Sequence, residues 1–193
     1  RNIRFIRSYT VFNVEQIDGL PAYYYPVAAP AEPRIESVHR AAIDAFFGAL
    51  PATVRHGGDQ AFFSPIGDYI QMPRRGAFRS DDHYASTLGH EYIHYSGAPS
   101  RLNREFGRKF GDQAYAFEEL VASIGQCLVC ADLGLPGELH DNHASYIDHW
   151  LRILKSDASA IIKAASKAEQ AFAWLKEQAG ADTAAAEPEA LAA

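Results

Sequence analysis

The sequence predicts an α+β fold: a small, mainly antiparallel sheet packed on one histidine-bearing helix, with further helices beyond it. Three observations carry this. Apolar residues recur at helical spacing between about Ile35 and Leu50. Three short β-rich runs follow, broken by Gly57-Gly58 and Gly67-Asp68. From Ser80 onward the periodicity is helical almost to the end. A helix, a small sheet and then several helices is the α+β order.

Each element has its own warrant. Ser8–Val14 (SYTVFNV) is β-rich and precedes a turn signal at Asp18-Gly19. Pro21–Pro33, rich in proline and alanine, reads as an extended arm. Residues 1–30 are therefore expected to form a strand and linker arm, and 31–182 the domain proper. In the first helix Val38, Ala41, Ala42, Ala45, Phe46 and Leu50 mark the apolar positions, and Pro51 ends it. Strands are expected over Thr53–His56, Gln60–Ser64 and Tyr69–Met72, and Pro73 suggests that the third lies at an edge. Ser80 suits an N-cap, Asp81 and Asp82 suit the positive end of a helix dipole, and Gly97 suits a C-terminal stop. Further helices are expected at about 115–133, closed by Gly134, and at about 142–155 and 158–179. Residues 183–193 form an Ala/Glu/Pro tail whose composition predicts disorder.

Composition narrows the function. A net charge of −6 argues against direct nucleic-acid binding, which needs a basic surface. No signal peptide, membrane span or lipidation motif is visible, so a cytoplasmic protein with no membrane partner is expected. The two cysteines, Cys127 and Cys130, sit in a helical stretch. They read as small buried apolar residues, and no second C-x-x-C completes a zinc site. The chain opens on Arg1 and its one methionine is Met72, so it reads as a piece of something longer.

The chemistry lies in His90-Glu91-Tyr92-Ile93-His94, an H-E-x-x-H motif. Residues i and i+4 share one helical face, so two imidazoles there can point at one metal. Glu91 is rotated away from that line, borders the metal and can take a proton from its water. Catalytic zinc sites usually use three protein ligands and a water. Position 100 is Ser, so the extended motif with a third histidine is absent. The third ligand is expected from Glu118 or Glu119, two acids entering an otherwise apolar helix, where burial is costly unless they are paired or metal-bound. Glu119 is favoured because Ser123, one turn later, could hydrogen-bond it. The competing reading pairs both acids with Arg101, Arg104 or Arg108.

Other polar residues are weighed against the same site. His83 lies two turns before His90; it either borders the metal or, the favoured reading, sits at the surface. His143 or Tyr146 could donate to a developing oxyanion, or could cap and pack a helix. The strand 68–73 could hold an extended peptide if its edge is open. The basic run 101–109 reads as a solvated loop, and it lacks the aromatics of a stacking platform.

RSYTVFNVEQIDGL, SDDHYASTLGHEYIHYSGAPSRLNR, YAFEELVASIG and DNHASYIDHWLRILKSDASAIIKAASKAEQAFAWL, in that order, resemble the C-terminal domain of ArdC-type antirestriction proteins. These are related to the zincin-like metallopeptidase domains of plasmid and phage polyvalent proteins. The resemblance runs from about Arg7 to Leu175. It implies a gluzincin-like fold, zinc on His90, His94 and one acid of the Glu118-Glu119 pair, and Glu91 as base. It implies a role in protecting mobile DNA from host restriction, and an upstream single-stranded-DNA-binding domain outside this chain. Two departures stand out. Tyr95-Ser96-Gly97-Ala98 replace the family's frequent Trp-Thr-Gly-His, so no histidine stands at 98. Ser123 stands where relatives often carry an acid, which predicts weaker support around the metal.

Two functions fit. One is a zinc peptidase that acts on a protein or peptide. The other is a non-proteolytic, zinc-bound module that blocks a host restriction or defence factor by contact. Glu91 separates them, because a scaffold needs the histidines but not that acid.

Overall fold

In this computed structural model the described residues are 17–21, 24, 37–106, 113–136, 150–151, 154–155 and 157–180. Contacts divide the chain into two units, Arg1–Arg34 and Ile35–Ala193. In the first, Gly19 takes φ +77° at the expected turn, and the Tyr24 N–H donates to the Pro21 carbonyl. The strand expected at 8–14, most of the arm and the tail at 183–193 lie outside the described residues.

The second unit opens with α1 (Arg40–Gly48). Its buried face is Ile43, Phe46 and Phe47, continued by Leu50. These stand at i, i+3, i+4 and i+7, the helical stripe that faces a core. Val38, Ala41, Ala42 and Ala45 are exposed, which corrects the expected face: the larger side chains gain more from burial and set the helix rotation.

Three strands follow where expected: β1 (Thr53–His56), β2 (Phe62–Ser64) and β3 (Tyr69–Met72). The sheet order is β1-β3-β2. β1 pairs parallel to β3 with Val54 opposite Ile70, and β2 pairs antiparallel to β3 with Phe63 opposite Ile70. The sheet is thus mixed rather than mainly antiparallel. β3 is central, not an edge: it carries the fully buried Ile70 and Met72. Pro73 follows the last paired residue, where no ladder N–H is required. The edge strands are β1 and β2.

After a 3₁₀ turn (Arg75–Ala77) comes α2 (Asp81–Ser96), which carries the motif. Ser80 Oγ accepts from the His83 N–H and caps it as expected. Gly97 ends it with φ −82°, so a left-handed turn is not what requires glycine here. A Cβ there would lie 2.7 Å from an Arg104 guanidinium nitrogen and 2.8 Å from the Phe106 ring.

The remaining helices are α3 (Gln113–Asp132), stopped by Gly134 at φ +69°, and α4 (Ala160–Gln178). Of the helix expected at 142–155, only residues 150–151 and 154–155 are described, and they are helical. α4 presents Ala160, Ala164, Ala168, Ala171 and Leu175 as its buried stripe, and small residues there let it lie close to α2 and α3. Residues 114–132 of α3 are long and apolar enough to cross a membrane. Here α3 is a core helix packed on α2 and α4, with Leu120, Val121 and Val129 buried.

Candidate metal centre

The site forms where α2 and α3 face each other. Their approach depends on absent side chains. A Cβ at Gly125 of α3 would lie 2.7 Å from Ile93 Cδ1, and one at Gly89 of α2 would lie 3.2 Å from Val129 Cγ1. Helices packed this closely bring the short Glu119 carboxylate to the motif histidines.

Three donors converge. His90 Nε2 and His94 Nε2 lie 3.1 Å apart. Glu119 Oε2 is 3.4 Å from His90 Nε2, and Glu119 Oε1 is 3.6 Å from His94 Nε2. The ligand atoms all lie within 4.8 Å of one another, the one such trio among the described residues. The far nitrogens face acceptors: His90 Nδ1 lies 3.2 Å from Gln126 Oε1, and His94 Nδ1 lies 3.3 Å from Glu118 Oε1. An imidazole that donates from Nδ1 presents a lone pair at Nε2. Without a metal, a proton on His94 Nε2 can fill the gap between His90 Nε2 and Glu119; with that proton gone, two lone pairs and a carboxylate point at one another, an arrangement that a divalent cation resolves. The donor set, two imidazoles and a carboxylate, is that of a catalytic zinc site.

Electrostatics agree. Burial works against charge on His94, but its bond to Glu118 and the charges of Glu119, Glu91 and Glu118 outweigh it and raise its pKa to about 9. Burial works against ionised Glu119 too, yet His90, the charge of His94 and a hydrogen bond from Tyr115 hold its pKa below the usual range. Glu118 is also lowered against the effect of burial, by bonds to His94 and Arg104.

The two acids therefore have different partners. Glu118 receives Arg104 Nε at 3.0 Å and a second guanidinium nitrogen at 2.8 Å. Arg104 also donates to Ser96 Oγ and the Ile93 carbonyl, tying down the end of α2. The competing salt-bridge reading thus holds for Glu118 with Arg104 and not for Glu119. Arg101 instead pairs with Asp68 at 2.5 Å and lies over the Tyr95 ring. The run 101–109 is accordingly not simply solvated, because Arg104 is buried; Arg108 lies outside the described residues.

A cleft of about 310 Å³ opens over the trio. Glu91 lines it beside His90, His94, Tyr115, Glu118 and Glu119, and Phe62, Phe63 and Phe106 line it as well. His83 is not in the lining; its Nδ1 lies 2.9 Å from Ser80 Oγ at the other end of α2. His143 and Tyr146 fall outside the described residues. Cys130 is buried, as read from sequence, but Cys127 is exposed.

Arg104, one of the arginines the sequence offered as partner to the acids, pins Glu118. Sequence reasoning missed two contributors. Tyr115, rather than Ser123, is the side chain hydrogen-bonded to Glu119. Gln126 supports His90. The signal was helical spacing: 115, 119 and 126 stand at i−4, i and i+7 on one face of α3.

A paired-histidine helix with a facing glutamate, under a cleft that also holds the motif acid, defines the class of H-E-x-x-H metal-site domains. The chain belongs to the zincin-like metallopeptidase family, whose family model matches residues 41–167. It is 43% identical over 174 residues to the uncharacterized protein y4eC of Sinorhizobium fredii (strain NBRC 101917 / NGR234), covering 90% of this chain and 55% of that one. It is 41% identical over 162 residues to the DNA primase TraC of Escherichia coli, covering 83% of this chain and 14% of that one. Among solved structures it is similar to the antirestriction protein ArdC from plasmid R388. The Mn(II)-bound form matches at 44% identity and TM-score 0.67, over 89% of this chain and 62% of that one. The metal-free form matches at 44% identity and TM-score 0.66, over 90% and 61%. The chain thus spans about half of its first curated relative and a seventh of the primase.

Proposed function

We propose that this chain is a divalent-metal peptidase domain, with His90, His94 and Glu119 as the metal ligands and zinc as the expected ion. The observation that carries the reading is the convergence of two Nε2 lone pairs and one carboxylate beneath a cleft that also holds Glu91. A divalent cation supplies a Lewis acid there, polarising a carbonyl and lowering the pKa of a water. Glu91 accepts the proton from that water and passes it to the leaving amine nitrogen. The open edge of β2 pairs with an extended peptide backbone. Phe62, Phe63 and Phe106 line the cleft and limit access of bulk water. His143 or Tyr146 donates to the developing oxyanion, an assignment from sequence alone.

A catalytic ion is favoured over a structural one by the solved relative: its Mn(II)-bound and metal-free forms match this chain at TM-scores of 0.67 and 0.66, so that fold does not wait for its metal. The setting we propose is antirestriction on mobile DNA, in the cytoplasm, alongside further domains such as a single-stranded-DNA binder. A second reading also draws on that relative, which is named for antirestriction rather than for proteolysis. In it the metal-loaded domain blocks a defence factor by contact.

The deciding experiment compares the parent with Glu91→Gln on a proteome-derived peptide library and in a restriction-protection assay. Peptide cleavage by the parent that Glu91→Gln loses while keeping its metal supports the peptidase. Protection undiminished in Glu91→Gln, with no cleavage by either protein, supports the blocking module. His143→Ala and Tyr146→Phe, run alongside, identify the oxyanion donor as the one that lowers turnover with metal content intact.

A further inference from the structure

A chain of buried polar groups runs from the His90 imidazole away from the cleft and into the α2–α3 interface. Gln126 and Ser86 are each 0% exposed and Cys130 is 7% exposed. Gln126 Oε1 lies 3.2 Å from His90 Nδ1, Gln126 Nε2 donates to Ser86 Oγ at 2.7 Å, and Cys130 Sγ donates to the same oxygen at 3.5 Å. A polar glutamine in so apolar an interface is costly unless both ends of its amide are used.

The polarity of this chain is determined from its far end. Burial pushes the Cys130 thiol above its ordinary range, so it stays an S–H donor. Ser86 Oγ accepts from the thiol and from the Gln126 NH₂. With its NH₂ turned to Ser86, Gln126 can present only Oε1 to His90. His90 must then carry its proton on Nδ1, which leaves Nε2 with a lone pair directed at His94 Nε2 and Glu119. The other imidazole is oriented differently: His94 Nδ1 faces the Glu118 carboxylate, itself pinned by Arg104.

We propose that Gln126 is a positioning residue: through the Cys130–Ser86–Gln126 chain it holds the His90 imidazole with its proton on Nδ1 and its Nε2 aimed at the ion. The part concerning the ion rests on the reading of His90, His94 and Glu119 as ligands; the part concerning the imidazole does not. One histidine is thus held by a neutral amide and the other by a charged pair. Partners of this kind typically change metal affinity about 10–100-fold when removed.

The test uses the full chain with His90 assigned by nitrogen NMR, together with Zn(II) and Mn(II) competition titrations. In chelated protein the parent shows neutral His90 as the Nδ1–H tautomer. Gln126→Leu moves it toward Nε2–H, the form free imidazole side chains prefer, and weakens both metals about 10–100-fold. Gln126→Glu keeps an acceptor on Nδ1 and restores both readouts, which a merely space-filling role would not do. If Gln126→Leu does not fold, Ser86→Ala serves instead: it frees the amide to turn over and gives a mixture of tautomers. An unchanged His90 tautomer in Gln126→Leu or Ser86→Ala overturns the proposal, as does a Gln126→Glu variant no better than Gln126→Leu. Should the parent bind neither metal, the ligand reading fails, and the tautomer result alone still decides the role of Gln126.

Discussion

Glu118 and Glu119 are neighbours in sequence and both buried, yet their removal should produce opposite defects. In Glu118→Ala the Arg104 guanidinium loses its carboxylate. The two side chains are 4% and 3% exposed, so a buried cation is left without its counter-ion. Breaking a buried pair from one side costs about 3–5 kcal/mol. Arg104 keeps the Ser96 hydroxyl and the Ile93 carbonyl as acceptors, which places the expected loss near the low end, about 3 kcal/mol. For a chain of this size that is roughly 6–12 °C in Tm. Metal affinity should fall only by the about 10–100-fold typical of an outer partner. Glu119→Ala removes a donor instead. It should weaken metal binding beyond that range while costing the chelated protein less Tm than Glu118→Ala, because the protonated His94 keeps Glu118 and Glu91 as counter-charges and Arg104 keeps its carboxylate. Thermal unfolding in chelator and competition titration with Zn(II) measure the two effects separately. A Glu118→Ala protein that is as stable as the parent but metal-free, or a Glu119→Ala protein that unfolds early yet holds its metal, would refute the division of labour.

Two further outcomes follow from the same geometry. His94 is raised from 6.5 to about 9 in the folded, metal-free protein. Its protonation therefore stabilises the fold fully below about pH 6.5, and that contribution is lost as pH rises through about 9. Chelated protein should lose Tm over that window in a pH-resolved melting series, and Zn(II)-saturated protein, whose imidazole cannot take the proton, should not. Gly125→Ala places a methyl 2.7 Å from Ile93 Cδ1 and must displace the Ile93 side chain or the helix that carries it. A loss of about 1–3 kcal/mol in chemical denaturation is expected, accompanied by weaker metal binding; a stable variant with unchanged affinity would show that the close approach is dispensable.

The parts of the fold governed by local chemistry were legible. β1 and β3 carry their predicted limits because Gly57-Gly58, Gly67-Asp68 and Pro73 punctuate them, and α2 starts at Asp81 because Ser80 caps it. The convergence of His90, His94 and Glu119 was legible because i, i+4 spacing is a local rule, and Glu119 stood out as an acid in an apolar run. What escaped depended on partners distant in sequence. The sheet order put β3 in the middle because β1 pairs with it in parallel across the intervening β2, and no local pattern encodes that. The rotation of α1 was misread because Val38 and three alanines were set on the apolar face and the larger Ile43 and Phe47 were left off it. Arg104 was offered both as part of a solvated basic run and as one of three possible partners of the two acids, and only the fold singles it out for Glu118. Gln126 passed unnoticed because it lies thirty-six positions from the histidine it supports.

The motif helix is fastened at both ends. At its start the fully buried Asp81 receives Arg75 at 2.7 Å and has Arg40 of α1 at 3.5 Å, while at its finish Arg104 grips Ser96 and the Ile93 carbonyl. A helix clamped this way neither slides nor frays when an ion departs, so the socket keeps its shape while empty. Such a socket exchanges ions without refolding. With two imidazoles and one carboxylate it admits several first-row divalent metals, whose intrinsic preference follows the ordinary affinity series rather than anything the pocket imposes. On the proposed reading its occupant would be set by supply: the domain would take whichever divalent metal is most freely exchangeable around it, with no change in its sequence.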